Sequence, residues 1–596
     1  MSIPLEKPRD PFSPRPIDLP TPVPLEADAD LEELDGAKIL GAPDDPADWP
    51  AWRETLVRWR AGARQRIGYD DSAYRASEFA WTRRCFSVAL VWLWDELLYD
   101  HAGGRFTPDR FCAESEREFG GFDGVVLWHA YPVIGIDERN QFDFYRVAGL
   151  GDLVAAFHER GIRVFVDYNP WDTGTRREPV ADDVAIAELV RGVGADGVFL
   201  DTMKEAQAGL REALDRVGTG IALEGESTLP LSGIPDHHLS WAQWFADSTV
   251  PGVLRARWFE QRHMLHHTRR WNRDHREELH SAWLNGVGML VWENVFGSWV
   301  GWSDRDKALL RAMLPVQRQY SDLLATGDWT PLAACSEDTL VVASHWSDGE
   351  TTLWALANRG EQRYAGRVGE LDVELPAHGI AAVVGSEQVL AAGGGDATFP
   401  TRTAERVPAP VVRVASVPEG FAAVEPRPVT AVFRRRETGT YGEAPYVEEW
   451  KPLPPRLHDF VEVERPAPRG RFAIAVREVT GAGGAPMTGL DLAEARAYAA
   501  SVGARLPTED EWQLAAEAGL LERCSPVVWN WTESEHSDGR TRFAILKGGA
   551  AWSAEGSDWY VDGGPRDPSY SLKLLLLGGG LGRSAQIGFR LAVDLP

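Results

Sequence analysis

The sequence predicts a multidomain α/β protein whose largest part is a (β/α)8 barrel of the TIM type. Three observations predict it. Short apolar runs alternate with helical stretches from about residue 86 to 325. Nearly every run ends on a polar side chain. And 596 residues are too many for one hydrophobic core, which stops growing at roughly 250–300 residues.

The runs are SVALVWLW (87–94), DGVVLWHAYP (123–132), IRVFVDYNP (162–170), DGVFLD (196–201), IALEGE (221–226), SWAQWF (240–245) and GMLVWENV (288–295). Continuous Val/Leu/Phe runs bounded by Gly or Asp suit parallel strands buried on both faces. Helical stretches such as GDLVAAFHERG (151–161) and VAIAELVRGVG (184–194) separate them. The unit Phe122-Asp-Gly-Val-Val-Leu recurs as Ala195-Asp-Gly-Val-Phe-Leu. These are seven strands. An eighth is sought between 246 and 287, a stretch that reads mostly as helix. A barrel is preferred to a doubly wound sheet because no Gly-rich phosphate loop follows the first run.

Around the barrel, assigned to 51–328, composition changes. Residues 1–50, rich in Pro and Asp, read as an extended N-terminal arm. Residues 329–390 alternate in short runs broken by Gly, Asp and Pro, the pattern of a small antiparallel β-sandwich. Residues 391–410 form a linker, and 411–596 a third folded unit.

The formal net charge is −27, from 89 acidic and 62 basic residues. Such a surface repels phosphate backbones and anionic lipid, which argues against nucleic-acid and membrane partners and leaves neutral sugars. The four cysteines lie far apart with no C-x-x-C, as expected of free thiols in a reducing compartment. The N-terminus shows no basic segment followed by an apolar run, and no stretch approaches the ~20 apolar residues of a bilayer span. A cytoplasmic location is therefore expected. A homo-oligomer is left open. Of 25 tryptophans, Trp92, Trp94, Trp128, Trp171, Trp244 and Trp292 fall near strand ends, where a flat ring either fills core or stacks on a sugar.

In such a barrel, function gathers at the C-terminal ends of the strands. There the sequence offers Trp128, His129 and Tyr131 after the second strand, with Asp137 and Arg139 in the polar loop that follows. The third gives Asp167 and Asn169, the fourth Asp201, the fifth Glu224 and Glu226, and the last Trp292, Glu293 and Asn294. His238 stands by the sixth. Asp201 and Glu226 end neighbouring strands, which lie ~4.8 Å apart. A retaining glycosidase needs its nucleophile and its acid/base about 5–5.5 Å apart. Asp201 and Glu226 are therefore the expected catalytic pair, and the others the expected substrate-binding set. His263, His266 and His267 fall at i, i+3 and i+4, one face of a helix. With His275 or His280 they would suit a metal, but the expectation is a solvated helix face, with no metal and no cofactor.

The Asp in VFVDYNP, the Asp ending strand four and the Glu ending strand five resemble the α-amylase-type barrels and related retaining α-glycosidases. The resemblance implies Asp201 as nucleophile and Glu226 as acid/base, with Asp167 and Asn169 shaping the sugar site. Two positions depart from it. Phe199 stands where those barrels carry Arg, and Pro170 where they carry His. DGVFLD is also similar to polygalactosaminidase-type and melibiase-type barrels, and the latter pattern would make Asp247 the acid/base. In the C-terminal third, RLPTEDEW (505–512), VVWNWTE (527–533), LKGGAAW (546–552) and IGFRLA (587–592) resemble the formylglycine-generating enzyme domain. That implies a C-type-lectin-like fold. The copper-binding cysteine pair of that family is missing, since no cysteine lies between Trp552 and Gly588. The sequence thus points to a retaining glycoside hydrolase acting on a small, α-linked sugar, with a non-oxidase accessory domain. A formylglycine-type metal-dependent oxidase and a non-catalytic carbohydrate-binding protein stand as alternatives.

Overall fold

The computed structural model describes residues 20–130, 135–170, 176–226, 228–243, 252–268, 274–295, 298–400, 402–434, 460–468, 470–553 and 564–596. Tyr131, Trp171, Trp244 and Asp247 lie outside them.

Eight parallel strands close into a barrel: β1 Ser87–Trp92, β2 Gly124–Trp128, β3 Arg163–Tyr168, β4 Gly197–Leu200, β5 Ala222–Gly225, β6 Leu239–Gln243, β7 Met264–Thr268 and β8 Gly288–Val291. Each pairs with its sequence neighbour, and β8 returns to β1. The crossover helices include Pro108–Phe119, Leu150–His158, Asp182–Val193, Leu210–Val217 and Arg276–Asn285, and the helix Asp304–Gln319 follows β8.

β7 corrects the expected helix over 263–267. Its sequence, MLHHT, carries polar side chains that only distant partners satisfy. His263, just before it, lies 2.8 Å from both Tyr74 Oη and Ser240 Oγ. His266 lies 2.6 Å from Glu224 Oε1 and 2.7 Å from the Cys85 carbonyl. All three histidines are fully buried. His266 and His267 lie on opposite faces of the strand and His263 precedes it, and among the described residues no group of three His, Cys, Asp or Glu is placed to hold a metal.

The repeated Asp-Gly unit has a structural explanation. Asp123 opens β2 and accepts the Phe86 and Ser87 amides of the neighbouring strand (2.9 and 3.0 Å). Asp196 opens β4 and accepts the Val164 amide (2.9 Å). The glycine that follows clears room for Phe165, since a Cβ on Gly197 would sit 2.5 Å from its ring.

Before the barrel, Ile39–Gly41 pairs with Thr21–Pro22 and with Gly252–Leu254, so the N-terminal arm lies on the barrel wall. After it, Asp328–Ala392 forms a five-stranded antiparallel sheet with a two-stranded hairpin against it, closed over Val341, Leu356, Val373 and Leu375. The C-terminal unit holds a sheet around Trp529–Ser537 and two helices, Leu492–Ser501 and Glu509–Glu517, both opened by capping boxes. Its motif residues tie its own core. Trp512 Nε1 and Arg590 Nε both donate to Asn530 Oδ1 (2.8 and 3.0 Å), and Arg590 also bridges Glu478 (2.9 Å). No helix among the described residues is long and apolar enough to cross a membrane.

Candidate active site

Side chains on strands that are not neighbours can touch only across the barrel lumen. Four such contacts define it. Phe199 of β4 stacks on Trp241 of β6 (centroids 4.6 Å apart), and Trp241 meets Trp292 past the end of β8 (6.3 Å). Trp292 meets Trp128 of β2 edge-on (5.1 Å), and Glu224 of β5 meets His266 of β7. The lumen is thus an aromatic belt above a buried acid–imidazole pair. Burial drives the His266 pKa down, and the Glu224 carboxylate, together with the Cys85 carbonyl and Asp123, more than reverses this, so the imidazole titrates above its ordinary value.

Strand period puts the next inward position two residues on. Asp201 follows Phe199, Glu226 follows Glu224, and Asn169 follows Asp167 across the register Asp167–Phe199–Glu224. Asn169 Nδ2 donates to Asp201 Oδ2 (3.2 Å), and Glu226 accepts the Thr202 amide. Thr202 adopts φ +63°, a backbone state that non-glycine residues rarely take and that recurs at active sites. Asp201 is half-buried, while Glu226, Asp167 and Asn169 are buried.

A second layer from the loop after β2 holds this group. Gln141 grips the Asn169 backbone at both ends, Nε2 to O 2.6 Å and N to Oε1 2.8 Å. The Tyr145 hydroxyl accepts the Asp167 amide (2.7 Å) and donates to the Leu127 carbonyl (2.7 Å). His129 stacks on Phe144 and sits 3.4 Å from Asp167 Oδ2. Burial pushes its pKa down to about 3, so the imidazole is neutral. Gln141, Phe144 and Tyr145 were legible only as members of a polar loop.

The remaining expected residues divide. Trp128 and Trp292 form the belt. Glu224 lies in the layer beneath Glu226. Asp137 and Arg139 pair with each other and fasten the C-terminal unit, through Ser584 Oγ to Asp137 (2.7 Å) and Arg139 to the Leu581 carbonyl. Glu293 and Asn294 also face that unit, through Arg540 (3.3 Å) and Thr541 Oγ1 (2.8 Å). His238 departs from the expectation. It precedes β6 and stacks on Phe79 at 3.8 Å, with Nε2 3.2 Å from the Ala73 carbonyl, at the base of the barrel and not at its mouth.

Residues 458–527 match the model of the sulfatase-modifying factor enzyme 1-like domain. The C-terminal unit is similar to that family. No protein of curated function matches the sequence. Among solved structures, α-amylase from Geobacillus thermoleovorans complexed with acarbose covers 51% of this chain and 98% of its own at 11% identity, TM-score 0.35. A debranching enzyme from Nostoc punctiforme gives 51%, 98%, 12% and 0.34. A cyclic α-maltosyl-(1→6)-maltose hydrolase from Arthrobacter globiformis gives 51%, 99%, 13% and 0.33.

Proposed function

We propose that the barrel is a retaining glycoside hydrolase acting on an α-linked sugar, with Asp201 as nucleophile and Glu226 as acid/base. One observation carries this reading. Two carboxylates directly follow neighbouring strands at the same register, beside the aromatic belt, each meeting a separate hydrogen-bond donor. The α-linkage follows the resemblance of VFVDYNP and DGVFLD.

The chemistry runs in two displacements. Asp201 attacks the anomeric carbon, a new C–O bond forms, and the bond to the leaving group breaks. Glu226 gives its proton to the departing oxygen. Glu226 then takes a proton from water, which attacks the same carbon and frees Asp201. Asn169 orients the nucleophile. Asp167 and His129, the latter uncharged, supply an acceptor and a donor for sugar hydroxyls.

A panel of p-nitrophenyl α- and β-glycosides tests this, with the anomer of the first product followed by NMR. Release from an α-glycoside with retention is expected. Inversion, or hydrolysis of β-glycosides alone, contradicts the mechanism. Full activity in both Asp201→Asn and Glu226→Gln sinks the residue assignment. Binding without turnover would replace the enzyme with a carbohydrate-binding protein.

A further inference from the structure

Two sets of contacts hold the loop after β2. One ties it to the site. Its turn Gln141–Tyr145 binds the end of β3, with Gln141 on both backbone groups of Asn169 and the Tyr145 hydroxyl on the Asp167 amide. Asn140 and Asp143 cap that turn reciprocally, Asn140 Oδ1 accepting the Phe142 amide and Asp143 Oδ2 the Asn140 amide (both 3.0 Å). The other set ties the loop to the segment Gly578–Ser584 of the C-terminal unit. Ser584 Oγ donates to Asp137 Oδ2 (2.7 Å), and the Leu581 carbonyl accepts Arg139. Asp137 also accepts the Arg139 amide (3.1 Å) and its Nε (2.8 Å). Asp137 and Gln141 are both buried.

The glycine run Gly578-Gly579-Gly580 lets the segment come this close. A Cβ on Gly578 would run into the Tyr99 ring, and one on Gly579 would lie 3.0 Å from Val147, just past the turn. Gly579 also adopts φ +63°, where a residue with a side chain is strained. The segment is fixed on its own unit. Arg583 pairs with Glu494 (2.8 Å), and the Gly489 amide donates to the Ser584 carbonyl (2.9 Å). The C-terminal unit thus grips the loop at Asp137, Arg139 and Val147, before and after the turn that carries Gln141 and Tyr145. Arg540 on Asp95 (2.7 Å) and Arg542 on Glu96 (2.9 Å) are separate contacts of the same interface.

We propose that Gln141 is a positioning residue for Asp201, and that the segment Gly578–Ser584 holds it in place, so that turnover in the barrel depends on the docked C-terminal unit. This rests on the glycosidase reading. Ser584 and Leu581 fix Asp137 and Arg139, Gln141 two residues on fixes Asn169, and the Asn169 amide meets Asp201. A nucleophile must face the anomeric carbon in line, and a shift of about 1 Å costs about 10²-fold in rate. The C-terminal unit then takes part in catalysis without supplying a catalytic group.

The test uses the full chain and whichever p-nitrophenyl α-glycoside it hydrolyses. Gln141→Ala is expected to lower kcat about 10–100-fold while KM stays within about twofold, because a misplaced nucleophile is felt in the transition state and not in binding. Ser584→Ala leaves the site itself untouched and is expected to lower kcat about 5–10-fold, the range for one hydrogen bond, with the same split. The double variant should lose no more than Gln141→Ala alone, since both act through one chain of contacts. Arg542→Ala removes a separate contact of the interface and should leave kcat within about twofold. An unchanged kcat in Ser584→Ala, equal losses in Ser584→Ala and Arg542→Ala, or additive losses in the double variant would overturn the proposal. If Gln141→Ala folds poorly, the comparison of Ser584→Ala with Arg542→Ala decides it. If the wild type hydrolyses no glycoside, the glycosidase reading fails by itself. The hold on Asn169 is then decided by hydrogen exchange of the peptide covering β3 and Asn169. Faster exchange there in Ser584→Ala, but not in Arg542→Ala, supports it, and unchanged exchange or equal acceleration in both overturns it.

Discussion

Asp196 and Asp201 flank the same strand, β4, and do different work. Asp196, at the base, accepts a backbone amide of β3 and pairs with Arg163 and His158 (both 2.7 Å). Asp201, at the mouth, meets the side-chain amide of Asn169. The same division recurs on other strands: Asp123 fastens two amides at the base of β2, and Glu226 stands at the mouth end of β5. At β2 and β4 the acid before the strand closes the barrel, while Asp201 and Glu226 stand past the opposite ends of β4 and β5. Barrels therefore separate stability from chemistry along a strand of a few residues.

The sharpest way to break that comparison is to exchange the roles by mutation. Asp201→Asn and Glu226→Gln are expected to lower kcat at least 10²–10⁴-fold, about the contribution of a positioned acid or base, without lowering the unfolding midpoint. Asp196→Ala should do the reverse. It leaves the Val164 amide without its acceptor and should cost about 1–3 kcal/mol of stability, with kcat per folded molecule unchanged. Urea titration beside steady-state kinetics reads both. A kcat loss in Asp196→Ala matching that of Asp201→Asn would dissolve the distinction.

Next in size is the packing beneath the acids. Gly197→Ala brings a Cβ to 2.5 Å from the Phe165 ring and 3.0 Å from the Ala222 carbonyl. Overpacking of this kind costs about 1–3 kcal/mol. The variant should unfold at lower urea while its KM stays put, because the clash lies one full strand length from Asp201.

Most of this was legible because it is local. Strands β1 to β6 and β8 announce themselves as apolar runs, and the acids at their ends follow from strand period. β7 was hidden because its burial is bought nonlocally: His263 answers to Tyr74 and Ser240, His266 to Glu224 and Cys85. Local spacing then favoured a helix. His238 was assigned to the pocket by its nearness to a strand, but it lies before the first residue of β6, and that offset decides which end it occupies. Arg540 had no signal at all. Ser-Asp-Gly-Arg-Thr-Arg reads as an exposed turn, and only the docking of two distant units buries its cation.

The smallest expected effect compares a histidine from each end. Burial pushes the His238 pKa down to about 4 and that of His129 to about 3. Each stays neutral in the fold, while the unfolded chain takes up its proton near pH 6.5. Their contribution is therefore whole above pH 6.5 and is lost as pH falls toward 4 and 3, at about 1.4 kcal/mol per pH unit for each histidine once below 6.5. Replacing His238 by Phe keeps the stack on Phe79 and removes the titrating group. The stability difference between pH 7 and pH 5 should shrink by about 2 kcal/mol, with kcat/KM intact. His129→Phe should shrink it similarly and lose activity as well, because that ring sits 3.4 Å from Asp167. Urea midpoints at the two pH values, read beside kcat/KM, separate these outcomes. If His238→Phe costs as much activity as His129→Phe, the base of the barrel takes part in catalysis and the division between its two ends fails.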